Sequence, residues 1–268
     1  MKGVTMKRSW VLLAIALLGN VSTAFAAEDA ASAISAQQVL TSSAADNKFT
    51  FIVFYKQDDA ATRALVKTVE NGLAGHEDES ALAYAQTTNL ADQALVKKFG
   101  MERAPLPMVL AVAPNGAITG VFNRKVTPEL ISEAFVTPTM ARCMRSMQES
   151  KVVLVCLHRA AKPSIPAGVR DLEKDPLFTD RVSIIPLHLS EPGEESFLEQ
   201  MQIEPTTAQD LVVMMAPPGV LVGKFTTSTT KDEMAEALHM AGKCCDDPNC
   251  KHGKPSSAAK TTPKKINR

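Results

Sequence analysis

Apolar positions along this chain follow two alternating rhythms: short, nearly continuous runs, and longer stretches with one apolar side. Residues 49–55 (FTFIVFY) are apolar almost throughout, which predicts a strand buried on both faces. Asp58 and Asp59 then open a helix whose apolar residues, Leu65, Val66, Val69 and Leu73, share one side. A polar loop from Gly75 to Glu79 leads to a second strand near 82–87, and a helix over 92–99 presents Leu95, Val96 and Phe99. A short helix over 37–43 precedes this series. The order then recurs: helix 140–149, apolar strand 152–158 (VVLVCLH), helix 169–174, strand 182–189 and helix 194–203.

The recurrence extends to individual residues. Segments 108–135 and 211–238 align without a gap, sharing Val109/Val212, Ala113/Ala216, Pro114/Pro217, Gly116/Gly219, Gly120/Gly223, Phe122/Phe225, Thr127/Thr230, Glu133/Glu236 and Ala134/Ala237. Each reads as strand, Pro-containing turn, strand and capped helix, so the body is expected to hold two copies of one α/β domain. In each, a mixed central sheet is covered by helices on both faces. The expected boundaries are 27–137 for the first domain and 138–243 for the second.

The ends differ from the body. Lys2, Lys7 and Arg8 precede an apolar run from Trp10 to Leu18, and Ala24-Phe25-Ala26 supplies a small-residue cleavage site. Residues 1–26 are therefore read as a signal peptide, whose apolar run falls short of the roughly 20 residues that span a bilayer. The mature protein is expected to be periplasmic or secreted, with no transmembrane segment after cleavage. Residues 244–268 form a Cys-containing basic tail without apolar period. The signal holds three of the 29 bases and the last 18 residues hold six, leaving 20 bases against 29 acids over residues 27–250. Such an acidic body argues against a nucleic-acid partner.

Phe54-Tyr55 at the end of the first strand, Phe99-Gly100-Met101 before a proline, and Pro107-Met108-Val109-Leu110 running into Asn115-Gly116 resemble the thioredoxin-like family. The order of elements is similar in both copies. The resemblance implies two tandem thioredoxin-like domains, with either Pro105 or Pro107 as the family's cis-proline. Counting forward from Phe99 favours Pro105, and counting back from Gly116 favours Pro107. The family's chemistry needs two cysteines two residues apart at a helix N-terminus, where amides and dipole lower a thiol's pKa. Asp59 and Thr62 stand in those places, and neither forms a mixed disulfide. Asp58 and Asp59 read as helix-capping carboxylates. The second copy has His158-Arg159-Ala160-Ala161-Lys162-Pro163 there, Pro205-Thr206 displaced from the cis-proline region, and Asp210 at the place matching Pro107. The resemblance thus implies a redox-inactive module that holds another exported protein, using a groove beside Asp58, Asp59, Thr62, Pro105 and Pro107.

The remaining chemistry concentrates in Cys244, Cys245, Cys250 and His252. Three thiols and an imidazole suit zinc or copper(I). An oxidising compartment instead favours disulfides among Cys143, Cys244, Cys245 and Cys250, with three full pairings open. The expected cofactor is none, with tail-bound metal and thiol oxidoreduction as the alternative. Cys156, inside an apolar strand, reads as a small buried hydrophobe. His76 among Glu77, Asp78 and Glu79 reads as a solvated loop, Met140, Met144 and Met147 as core, and His188 and His239 as single histidines. No phosphate-binding loop, dinucleotide fingerprint, nucleophile elbow or zinc-protease motif occurs.

Overall fold

The computed structural model describes residues 35–242 apart from 124–125, 205 and 207–208. The expected signal peptide, Pro205 and the Cys244–His252 cluster lie outside the described residues. The first half runs α1 (Ala36–Ala45), β1 (Phe49–Tyr55), α2 (Ala60–Leu73), β2 (Ser80–Gln86), α3 (Gln93–Lys98), β3 (Met108–Val112), β4 (Ile118–Phe122) and α4 (Pro128–Ser132). The second runs α5 (Pro138–Gln148), β5 (Val152–His158), α6 (Ala167–Lys174), β6 (Val182–His188), α7 (Glu195–Gln200), β7 (Leu211–Ala216), β8 (Val220–Thr226) and α8 (Lys231–Met240).

Each half builds one four-stranded mixed sheet, ordered β2-β1-β3-β4 and β6-β5-β7-β8. In both, the first strand pairs parallel to its sequel and antiparallel to the next, and a hairpin adds the edge strand. Alternation in the apolar runs decides which residues feed which layer. Ile52 and Phe54 join the layer with Leu40, Leu95, Met108 and Leu110. Phe51 and Val53 join Leu65, Val69, Val109 and Ile131 on the other face. In β5, Val153, Val155 and Leu157 pack with Cys143 and Phe197, while Leu154 and Cys156 pack with Leu172, Met214 and Met234. Each wholly buried Phe, Ile, Leu or Val here contributes about 1.5–3 kcal/mol of transfer free energy. Strand order and the two covered faces make this a thioredoxin-like α/β fold.

Local chemistry sets the helix starts. Ser35 caps α1 with a reciprocal bond from Gln38, and Thr230 does the same for α8 with Glu233. Thr127 and Thr137 cap α4 and α5, each with proline in the first turn. The two leading helices, α1 and α5, both end on a non-glycine residue in the left-handed region, Asn47 (φ 57°) and Ser150 (φ 62°).

All described residues belong to one compact unit, and α5 joins its halves. The Gln148 side chain behaves like one more strand residue against β4: its Nε2 donates to Ile118 O (2.7 Å) and its Oε1 accepts from Ile118 N (3.0 Å). Arg145 adds a bond to Gly116 O (3.2 Å). Ala113, Ala117 and Ala141 pack beneath, with Phe49, Val136 and Met144. Met144 thus packs at this junction while Met147 enters the second core.

Candidate functional site

The C-terminal ends of β1 and β2 and the approach to β3 enclose a groove of about 700 Å³. This is where the chain leaves the central strand toward β2 on one side and β3 on the other, a natural crevice in an α/β sheet. Lys56, Gln57, Asp59 and Thr62 form the wall after β1. Thr87 and Thr88 follow β2, with Gln93 and Val96 from α3. Glu102, Ala104, Leu106 and Pro107 complete the lining on the approach to β3.

Of the five residues expected here, Asp59, Thr62 and Pro107 line the groove. The other two do not. Asp58 turns to Arg63 in an exposed pair (3.2 Å), and Pro105 lies outside the lining. The cis bond is Leu106-Pro107, which resolves the proline alternative in favour of Pro107. A second cis bond, Pro217-Pro218, falls in the proline-containing β7–β8 turn.

Asp59 is the N-cap of α2, and its Oδ1 accepts from the Thr62 backbone N–H at 2.8 Å. That bond is the main cause holding its carboxyl below the usual range. The Thr62 hydroxyl gives its one hydrogen to Gln57 O at 2.9 Å. The backbone bond therefore carries the effect. The start of α2 is thus a closed cap: Asp59 tied to Thr62, and Thr62 tied to Gln57.

The matching place in the second half is occupied by its own side chains. His158 ends β5 and His188 ends β6, paired in register with rings 5.3 Å apart, edge to face. His158 Nδ1–H donates to Ala160 O (2.8 Å) and His188 Nε2–H to Arg159 O (2.9 Å), since a carbonyl only accepts. His188 Nδ1 accepts from Ser190 N (3.1 Å). Asp210, at the place of Pro107, accepts from Arg159 N (3.1 Å). Three side chains pin residues 159–160 across the strand ends. His188 is therefore one of a pair rather than a single histidine, which the strand register reveals and linear spacing does not.

Cys143 and Cys156 are buried, and burial pushes both thiols up to about 12. Neither is bonded to another described cysteine. Cys244, Cys245 and Cys250, the other disulfide candidates, lie outside the described residues. Among the described residues no three His, Cys, Asp or Glu side chains converge on a metal position. His76 stacks on Phe135 (4.5 Å), and Glu77 accepts from Gly75 N (3.0 Å), so that loop has structural partners. No described helix is long and apolar enough to cross a membrane.

No protein-family model and no curated protein matches the chain. Among solved structures, the chain is similar to the first two thioredoxin domains of Naumovozyma dairenensis Eps1p, at 12% identity and TM-score 0.26, covering 71% of this chain and 90% of that one. It is similar to the zinc-bound form of human ERp44 at 11% identity and TM-score 0.34, covering 76% of this chain and 55% of that one. A malarial protein matches over 34% of this chain at 15% identity and TM-score 0.28. These overlaps are loose, so the fold assignment rests on the strand order and sheet faces described above.

Proposed function

We propose that this protein is an exported, redox-inactive binding module that holds segments of other exported proteins in the groove of its first half. The carrying observation is the pairing of an open groove with a closed cap. The groove offers about 700 Å³ beside the positions of the missing cysteine pair. Those positions hold Asp59 and Thr62, locked to backbone groups and without a nucleophilic sulfur. The two described cysteines are buried, with thiols pushed up to about 12, so neither supplies a thiolate near neutral pH. A lining that mixes polar side chains with Val96, Ala104, Leu106 and Pro107 suits an extended polypeptide, whose backbone needs hydrogen-bonding partners and whose side chains need cover.

The test is binding of a permanently unfolded polypeptide whose thiols are blocked by a neutral alkylating agent. The mature protein binds it without any free thiol on the ligand. Thr88→Trp, a change at an exposed position on the groove wall, abolishes binding and leaves the thermal transition in place. Binding that survives Thr88→Trp, or that requires free thiols, would overturn the reading.

A further inference from the structure

We infer that the groove selects cationic segments: an extended peptide that sets aliphatic side chains beside the apolar lining residues and lysine or arginine against Asp59 and Glu102. This rests on the reading of the groove as a peptide site. A helix N-terminus ordinarily draws anions, because its first N–H groups lack intrahelical acceptors and the dipole is positive there. Here the chain supplies its own anion. Asp59 takes the Thr62 N–H at 2.8 Å and is exposed, and that bond lowers its pKa. An incoming carboxylate or phosphate at α2 therefore meets a negative charge already seated on the Thr62 amide.

The other charges agree. Glu102 shares the lining, Lys56 is the opposing base there, and the neighbouring Asp58 is paired with Arg63. The groove thus carries two acids against one base, and residues 27–250 as a whole carry 29 acids against 20 bases. Such a net field raises the local concentration of cationic ligands. Val96, Ala104, Leu106 and Pro107 supply the apolar part of the lining, so aliphatic side chains find cover beside the charges.

The experiment uses the mature chain and three acetylated, amidated peptides sharing a Val-Leu-Val core, flanked on both sides by lysine, glutamine or glutamate. Titration calorimetry at low salt is expected to rank them lysine, glutamine, glutamate, with about fivefold between steps. The spread shrinks at 0.5 M salt, where charges are screened within a few ångströms. Asp59→Asn keeps a capping side chain and removes the charge, and Glu102→Gln removes the second. Each is expected to narrow the spread between the lysine- and glutamate-flanked peptides. Equal affinities for all three peptides, or an unchanged spread in both variants, would overturn the charge selection and leave the groove reading intact. Failure of every peptide to bind, or binding indifferent to Thr88→Trp, would overturn the groove reading itself.

Discussion

Glu194 offers a direct check on how the second half is held together. Its side chain is buried at 2% exposure between β6 and α7, and its Oε1 accepts from Thr139 N, in the first turn of α5, at 2.7 Å. Thr139 is itself fully buried, so no solvent can replace that acceptor. The other oxygen, Oε2, has no hydrogen-bond partner among the described residues. Glu194→Ala removes a charge-assisted bond worth about 1.5–3 kcal/mol and strands a buried N–H. Against this, it also removes a buried carboxylate oxygen that nothing solvates, which offsets part of the loss. The net expectation is about 2 kcal/mol, or roughly 4–8 °C in melting temperature for a chain of this size. Glu194→Gln keeps the acceptor and loses the charge, so its stability should stay within about 1 kcal/mol of the parent in either direction. Thermal and urea unfolding followed by circular dichroism read both variants. A Gln variant as unstable as the Ala variant would refute the reasoning, because charge rather than the accepting bond would then carry the stabilisation.

Other expectations follow from particular contacts. With Cys244, Cys245 and Cys250 replaced by serine, a thiol reagent should find no reactive group in the native protein and two on denaturation, since Cys143 and Cys156 are buried; rapid native labelling of either would contradict their placement. Gln148→Ala removes the acceptor of the Ile118 N–H, so that amide should exchange about fivefold faster while Leu110 is unchanged. The pH dependence of Asp59 has a definite sign. Its folded pKa is depressed, so its ionised form stabilises the fold above the unfolded carboxyl value, and that contribution is lost as pH falls through the lower folded value. The stability gap between the parent and Asp59→Asn should therefore close as pH is lowered from 7 toward 3, and a constant gap would refute it.

Periodicity made the strands and the helix order legible, because a strand covered on both faces must be apolar throughout, as 49–55 and 152–158 are. Ends were less legible. The helix expected at 140–149 begins at Pro138, because Thr137 and Pro138 supply a stronger start than the apolar period alone. The helix expected at 194–203 is confined to Glu195–Gln200, after which Gln202 enters the left-handed region (φ 52°). Asp59, Thr62 and Pro107 were reachable from the resemblance. Thr87, Thr88, Gln93 and Glu102 were not, since the groove gathers them from separate connections that carry no common pattern. The Glu194–Thr139 bond joins residues 55 apart and the Gln148–Ile118 pair residues 30 apart, and only folded proximity reveals them. His158 and His188 end β5 and β6 thirty residues apart, and only the strand register brings them together.

The central claim is that the protein binds without thiol chemistry, and insulin reduction tests it most directly. The mature protein and its Cys244→Ser/Cys245→Ser/Cys250→Ser variant are each mixed with insulin and dithiothreitol, and precipitation of the reduced chains is timed. The account predicts that neither protein accelerates the reaction beyond dithiothreitol alone, because no described thiol is accessible and the cysteine-pair positions hold Asp59 and Thr62. Acceleration by the parent that vanishes in the triple variant would contradict it, and would place a thiol oxidoreductase in the tail.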